Sequence, residues 1–255
     1  MYRVDLNSDL GESFGAYTLG LDREVLRQVS SANVACGFHA GDPVVMGRTV
    51  ALVKAAGVDL GAHPGFPDLM GFGRRAMNAS PAEVGAYVTY QLGALAAFAR
   101  AADVPLRHVK PHGALYNLAA KDEALAAVIA RAVAAVDPEL ILLGLAGSKL
   151  LSAGRAAGLR VASEVFADRT YQADGSLTPR SQPGAMLRDP DLAIARTVDM
   201  VTQGTVKAVT GETVAIRADS ICVHGDNPEA VAFVERIRAA LEAQGVEIAP
   251  LREVV

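Results

Sequence analysis

Short apolar runs alternate along the chain with longer alanine-rich stretches, and this pattern predicts strands that are each followed by a helix. The run at 140–145 is continuously apolar, which is typical of a strand buried on both faces of a sheet. Strands that alternate with helices pair in parallel through right-handed crossovers. The predicted strands lie near residues 3–7, 33–36, 58–62, 108–110, 140–145, 160–164 and 220–223.

Helix-start signals precede most of the longer stretches. Asp42-Pro43 places a capping residue before a proline at the first helical position, and Ser80-Pro81-Ala82-Glu83 is a capping box. Asp22 is interpreted as a third N-cap, opening a helix that runs to about Ser31. The helices are expected near 22–31, 42–57, 80–102, 114–136, 149–157, 189–203 and 227–244, with a hairpin at 206–216.

Seven strands with intervening helices favour a closed parallel β/α barrel over an open sheet. The chain has 255 residues, a length at which one such barrel is common. No internal repeat, low-complexity linker or charge run interrupts it. We therefore predict a single barrel domain over residues 1–255.

Charge and composition exclude several classes of partner. The 24 basic and 28 acidic residues give a net charge of −4, which does not favour a nucleic-acid or anionic-membrane surface. No apolar stretch reaches the roughly 20 residues that a membrane span needs, and we expect a cytoplasmic protein without a signal peptide. Cys36 and Cys222 lie in apolar runs and are expected to be buried, reduced thiols.

Polar residues collect where the predicted strands end. Four of the five histidines follow an apolar run and adjoin a glycine-containing turn: His39, His63, His112 and His224. In a β/α barrel the carboxyl ends of the strands converge on one rim, where active sites are found. So many charged groups at one rim would be costly without a function.

The first and fourth strands add carboxylates and an ammonium group. A strand period of two places Asp5, Asn7 and Asp9 on one face of the first strand. Lys110, one of only five lysines, lies between two histidines, of which His108 is interpreted as internal packing. The candidate catalytic residues are Asp9, Glu12, His39, His63, Lys110, His112, Glu164, Asp168 and His224.

Candidate ligand-binding residues lie in the same strand-end segments. The loop Gly71-Phe72-Gly73-Arg74-Arg75 offers two guanidinium groups suited to a carboxylate or phosphate, although a solvated loop is an equal alternative. The candidate substrate- or phosphate-binding residues are Asn7, Arg74, Arg75, Arg169 and Asp226.

Three chemistries fit these residue types. Asp9, His39 and His63 are the ligand types of a mononuclear metal site with an open coordination position. The alternative is metal-free general acid–base catalysis, with Lys110 or Arg169 stabilising a developing oxyanion. Serine nucleophilic catalysis is weakly supported because the chain has no GxSxG motif.

Six sequence blocks, collinear from Asp5 to Pro228, together resemble the lactam-utilisation family, which supplies the A subunit of the bacterial 5-oxoprolinase. They are DLNSDLGESFG, NVACGFHAGDP, GAHPGFPDLMGFGRR, VKPHGALYN, EVFADRTY and ICVHGDNP. One departure is Ser8, where many members have cysteine, and we interpret it as a packing position. The resemblance implies a seven-stranded barrel similar to those of glycoside hydrolases and deacetylases.

The same resemblance implies an activity, a co-substrate and partners. It implies ATP-dependent opening of the lactam 5-oxoproline (pyroglutamate) to L-glutamate, with ADP and phosphate as products. Subunits B and C would be required partners, and a divalent metal, either Mg²⁺ with ATP or a site metal, is a possible cofactor. Two alternatives remain: a stand-alone metal-dependent deacetylase or amidohydrolase, and a non-catalytic lactam-binding subunit.

Overall fold

A computed structural model describes residues 2–255 of the chain. Its strands are β1 Tyr2–Leu10, β2 Ser31–Ala35, β3 Asp59–His63, β4 Leu106–Val109, β5 Ile141–Leu145, β6 Val161–Phe166, β7 Thr205–Lys207, β8 Thr213–Ala215, β9 Ser220–Val223 and β10 Val246–Ile248. Strands β1 to β6 and β9 pair in parallel in that order, and β9 pairs back to β1. The predicted closed barrel of seven parallel strands is confirmed.

Helices cover the connections between these strands. They are α1 Asp22–Val25, α2 Pro43–Ala56, α3 Pro81–Ala101, α4 Gly113–Ala119, α5 Glu123–Val136, α6 Lys149–Ala156, α7 Pro190–Thr202, α8 Pro228–Ala243 and α9 Leu251–Val254, with a 3₁₀ turn at Leu69–Gly71. Within residues 2–255, none of the helices combines the length and apolar character that crossing a membrane requires.

The strongest helix-start signals act as the sequence predicts. The Asp42 carboxylate accepts hydrogen bonds from the backbone N–H groups of Val44 and Val45. Ser80 and Glu83 form the reciprocal capping box at the start of α3. The predicted hairpin is also present, as the antiparallel pair β7–β8.

The predicted helix over 22–31 begins where expected, at Asp22, but its predicted length is wrong. Helix α1 ends at Val25, and strand β2 already begins at Ser31. The Asp22 carboxylate accepts a hydrogen bond from Gly11 N–H, 3.1 Å away, and does not cap the helix. The Asp22 side chain therefore binds the backbone of the loop after β1.

Other differences are smaller. The predicted helix over 114–136 is two helices, because the Asp122 side chain accepts from Leu125 N–H and starts α5 separately. Strand β1 continues to Leu10, so Asp9 lies within the strand. Strand β10, which the sequence did not predict, pairs with the first residues of β1 outside the closed barrel.

The barrel interior is apolar at the amino ends of the strands and polar above. Ile141, Leu143 and Ala162 pack with Leu251 of α9. Above them Asp5 is fully buried, and its carboxylate accepts hydrogen bonds from three serine hydroxyls: Ser30 at 2.7 Å, Ser31 at 2.7 Å and Ser220 at 2.5 Å. Burial raises the pKa of Asp5 to about 6, although these hydroxyls lower it.

Asp5→Asn is expected to change how stability depends on pH. The folded-state pKa of Asp5 lies above its unfolded value, so its contribution is fully present below about pH 4 and is lost as pH rises through about 6. Relative to wild type, the free energy of unfolding of the variant should therefore rise by about 2 kcal/mol between pH 4 and pH 7. Urea unfolding across this range measures it.

The matched control is Asp199→Asn, at an exposed position of α7. Its stability should run parallel to wild type across the same pH range. A parallel curve for Asp5→Asn as well would contradict the assigned role of Asp5.

Candidate active site

A buried ammonium group occupies the centre of the barrel. Lys110 follows β4 and is only 3% exposed. Its Nζ donates to Glu164 Oε1 at 2.8 Å, Asp9 Oδ1 at 3.0 Å and Asn7 Oδ1 at 3.1 Å, with Cys222 Sγ at 3.2 Å. This one group therefore links β1, β6 and β9 to the end of β4.

Neighbouring polar side chains hold the Lys110 partners in place. Asn7 donates to Glu164 Oε1 at 3.0 Å, and Asn33 donates to Asn7 Oδ1 at 2.7 Å. The Tyr116 hydroxyl donates to Glu164 Oε2 at 2.6 Å. His108 Nε2 lies 2.8 Å from Asn33 Oδ1, and a Cβ at Gly61 would overlap its ring. His108 is therefore part of the buried support beneath the mouth.

Charge pairing sets the protonation of Asp9 and Lys110. Burial alone would raise the pKa of Asp9, but the charges of His63 and Lys110 outweigh it and hold that pKa well below its usual value. Burial would also lower the pKa of Lys110, but Asp9, Cys222 and Glu164 outweigh it and raise that pKa. At neutral pH the pair is a carboxylate and an ammonium ion.

Three imidazoles form a cluster beside Asp9. The His39 and His112 rings are stacked, with centroids 3.7 Å apart and planes 4° apart. His63 is perpendicular to both rings. Glu12 Oε1 lies 3.4 Å from His39 Nε2 and 3.8 Å from His112 Nδ1, while Asp9 Oδ2 lies 3.2 Å from His63 Nε2.

Burial shifts the protonation of this cluster towards neutral groups. Burial, aided by neighbouring imidazoles, lowers the pKa of His39 and of His112 well below the usual value. Burial and the charge of Asp9 raise the pKa of Glu12 to about 7. Groups with such shifts are typical of catalytic or ligand-binding sites.

The loop after β3 positions the imidazole rings. His112 Nε2 lies 2.8 Å from the Phe72 carbonyl, and Phe72 has a positive φ of 54°. A Cβ at Gly73 would lie 2.7 Å from His39 Cβ and 2.8 Å from His112 Cδ2. Glycine at 73 therefore allows the backbone to pack directly against both rings.

A fourth histidine lies on the far side of the mouth. His224 Nδ1 and Asp168 Oδ2 are 3.1 Å apart, and both side chains are about one-fifth exposed. Burial alone would lower the pKa of His224, but the charge and hydrogen bond of Asp168 outweigh it and raise that pKa. His224 is therefore a candidate proton donor at the rim, separate from the cluster of three histidines.

The structure brings most predicted site residues together. All nine candidate catalytic residues lie in the two linked groups around Lys110 and the imidazole cluster or in the His224 pair: Asp9, Glu12, His39, His63, Lys110, His112, Glu164, Asp168 and His224. Asn7 belongs to the buried support, and Asp226 is exposed beyond His224.

The predicted arginines have different surroundings. Arg74 is exposed, and its guanidinium carbon lies 5.0 Å from the centre of the Phe72 ring. The Arg75 guanidinium is paired with Asp68. Arg169 is buried and donates to the Thr178 carbonyl at 2.6 Å. Of the three, only Arg74 is both beside the imidazole cluster and free of an ion pair among the described residues.

Sequence reasoning missed several members of the site. Tyr116, Asn33, Phe72 and Cys222 all contact predicted residues. Two of them carried a usable signal: Tyr116 lies four positions after His112 at the start of a helix, and Cys222 lies two positions before His224 in a strand. The contact of Phe72 with His112 is made by a backbone carbonyl, which every residue has, so no residue type in the sequence could indicate it.

Two groups of potential metal ligands occur among the described residues. One contains Glu12, His39, His63 and His112, and the other contains Asp9, Cys222 and His224. The ligand set expected from the sequence, Asp9 with His39 and His63, is thus divided between them. The first group is the more buried of the two.

Comparison with known proteins gives consistent results. Residues 4–255 match the LamB/YcsF family. A protein of Tolumonas auensis, named as the A subunit of 5-oxoprolinase, is 62% identical over 97% of this chain and 99% of its own length. The crystal structure of the lactam utilization protein from Thermus thermophilus has a TM-score of 0.91 and 52% identity, over 97% of this chain and 99% of that one.

A more distant comparison concerns the fold alone. The structure described as T48 deacetylase with substrate has a TM-score of 0.50 at 15% identity, over 99% of this chain and 90% of that one. The expected likeness to deacetylase barrels is therefore confirmed at the level of architecture.

Lys110→Met is expected to destabilise the barrel strongly. The substitution removes the ammonium group and leaves the Asp9 and Glu164 carboxylates close together without a cation. Breaking a buried ion pair in this way should lower the free energy of unfolding by about 3–5 kcal/mol at pH 7, which urea unfolding measures.

Lys149→Met provides the matched control. Lys149 is 54% exposed and its Nζ lies 3.8 Å from Glu123, so the expected change is within about 0.5 kcal/mol. A loss for Lys110→Met as small as the one expected for this control would show that the buried ion pairs are not important for stability.

Proposed function

The chain belongs to the LamB/YcsF family, and from this premise we propose that it is the A subunit of an ATP-dependent 5-oxoprolinase. The enzyme hydrolyses the lactam 5-oxoproline to L-glutamate and converts ATP to ADP and phosphate. Subunits B and C complete it, and ATP enters with Mg²⁺. The reaction takes place in the cytoplasm, where ATP is available, and residues 1–255 form one barrel domain.

One observation carries the proposal: the ionised pair of Asp9 and Lys110 adjoins the Glu12 and histidine cluster at the barrel mouth. Together, the pair and the cluster supply acidic, basic and cationic groups within reach of one small molecule. A relative that is 62% identical over nearly the whole chain is named as a 5-oxoprolinase component, which supports assigning the lactam as that molecule.

The need for ATP follows from the chemistry of the substrate. A five-membered lactam is a resonance-stabilised amide, and its amine leaving group stays tethered and can re-close the ring. Transfer of the γ-phosphoryl group to the carbonyl oxygen releases ADP and makes the ring carbon electrophilic. Water then adds to that carbon, and the ring C–N bond breaks as the nitrogen takes a proton, which leaves γ-glutamyl phosphate. A second water hydrolyses this acyl phosphate and releases L-glutamate and phosphate.

The residues at the mouth divide between water activation and charge stabilisation. Asp9, Glu12, His39 or His63 removes the proton from the attacking water. His112 and the His224–Asp168 pair face the developing negative charge. Lys110 acts through Asp9, because its hydrogen bonds are already directed to buried acceptors. The Arg169 guanidinium likewise already donates to backbone carbonyls, so those hydrogen bonds are not directed at the substrate.

The direct test is to co-express the chain with its neighbouring subunits and to measure glutamate release from 5-oxoproline. We expect stoichiometric glutamate and phosphate with ATP, and no glutamate without it. His63→Ala should abolish release while the circular dichroism spectrum and thermal midpoint show a folded barrel. Full turnover by that variant, or by a complex lacking this chain, would point to a non-catalytic lactam-binding subunit.

A second candidate function rests on the group of Glu12 with three histidines. Such a group fits a stand-alone, metal-dependent amidohydrolase or deacetylase. Amide hydrolysis by the isolated chain, insensitive to ATP and lost on chelation, would favour this function over the first.

Arg74→Ala should weaken binding of 5-oxoproline, because Arg74 is the exposed guanidinium that can pair with the substrate carboxylate beside the imidazole cluster. Loss of one charged hydrogen-bond pair corresponds to a roughly 10- to 100-fold increase in KM. Steady-state kinetics of the reconstituted complex measures it.

The neighbouring Arg75→Ala variant is the control. Its guanidinium is 67% exposed and already paired with Asp68, so its KM should change less than about threefold. Equal effects at positions 74 and 75 would remove the assignment of Arg74.

A further inference from the structure

The ring nitrogens of the imidazole cluster face other acceptor atoms at short distances. His63 Nδ1 lies 2.7 Å from the Lys110 carbonyl, and His112 Nε2 lies 2.8 Å from the Phe72 carbonyl. A carbonyl oxygen can only accept, so both of these nitrogens carry the hydrogen. The remaining nitrogens, His63 Nε2 and His112 Nδ1, face each other 2.9 Å apart, so a proton or a metal ion must lie between them.

More acceptor atoms surround this pair of nitrogens. Asp9 Oδ2 lies 3.2 Å from His63 Nε2, and Glu12 Oε1 lies 3.8 Å from His112 Nδ1. Glu12 Oε1 and both ring nitrogens of His39 are buried without a hydrogen-bond partner within residues 2–255. Lone pairs at such distances repel one another unless a proton or a metal ion lies between them.

We propose that Glu12, His39, His63 and His112 bind one divalent first-row transition-metal ion. Their ligand atoms all lie within 4.8 Å of one another, and His39 Nε2 faces the group from a fully buried ring. Three imidazole nitrogens and one carboxylate oxygen suit zinc, iron or nickel, whereas Mg²⁺ and Ca²⁺ prefer all-oxygen sites. The two backbone carbonyls fix the tautomers of His63 and His112, as outer partners of metal-bound histidines usually do.

The other group of potential ligands is a weaker candidate. Cys222 Sγ already lies 3.2 Å from Lys110 Nζ, and His224 is paired with Asp168. Asp9 lies outside the proposed ligand set because none of its oxygens is within 4.8 Å of every other ligand atom of the Glu12 group. This proposal deepens the proposed function, because the ion would lie beside the lactam and would leave Asp9 as the base for the attacking water, but metal binding itself does not depend on that function.

Calorimetric titration of the full-length chain with Zn²⁺, after removal of metal by a chelator, tests the site. We expect one ion per chain with a Kd below about 1 μM. His112→Gln and Glu12→Gln each remove one ligand and should weaken binding at least about 100-fold. His224→Gln, the matched control at the same mouth, should leave the Kd within about threefold.

A second measurement keeps the test valid if a variant fails to fold. Co²⁺ bound to the wild-type chain should give visible absorption typical of nitrogen and oxygen ligands, without a sulfur-to-metal charge-transfer band. A thiolate band, or binding that is lost in His224→Gln and retained in Glu12→Gln, would assign the ion to the Cys222 group and overturn the proposal.

Absence of Zn²⁺ binding by the folded wild-type chain would also overturn it, and a shared proton between His63 and His112 would then account for their short distance. The titration contains no lactam, nucleotide or partner protein. Its failure would therefore leave the proposed lactam hydrolysis standing, and failure of the glutamate assay would leave the metal site standing.

Discussion

The ammonium group of Lys110 inside the barrel, paired with Asp9 and Glu164, is the interaction on which the rest of the site depends. A buried cation is unfavourable unless carboxylates and hydrogen-bond acceptors surround it. Here the acceptors come from β1 and β6, far apart in sequence, and they meet only if the barrel closes in the observed register. Closure of the fold and ionisation of Asp9 are therefore coupled.

This coupling separates the interior into two layers with different roles. Beneath the mouth, Asn7, Asn33, Glu164 and Tyr116 satisfy one another and have no contact with solvent that a substrate could replace. Above them, Glu12 Oε1 and both ring nitrogens of His39 have no hydrogen-bond partner within residues 2–255. The lower layer makes the upper one rigid, and the upper layer keeps unsatisfied acceptors that a ligand can use.

The fold and most of the site follow from periodicity in the sequence. Alternation in β1 correctly places Asp5, Asn7 and Asp9 in the interior, and strand-end histidines correctly predict one mouth. Residue type alone could not show that Arg75 is paired with Asp68, because that contact depends on how the loop after β3 turns. The same holds for Asp22, whose carboxylate binds a loop backbone that no local helix signal describes.

Charge balance connects the two proposals. The mouth contains the carboxylates of Asp9 and Asp168 and the Glu12 carboxyl group, whose pKa burial raises to about 7, while the charge of Lys110 is already taken up by Asp9 and Glu164. An anionic lactam and a nucleoside triphosphate would be repelled by such a surface unless cations offset its negative charge. Arg74 supplies part of the positive charge, and Asp168 favours the protonated form of His224, which would add to it. A divalent ion among Glu12 and the histidines would supply the rest, at the point where acceptor atoms are left without a partner.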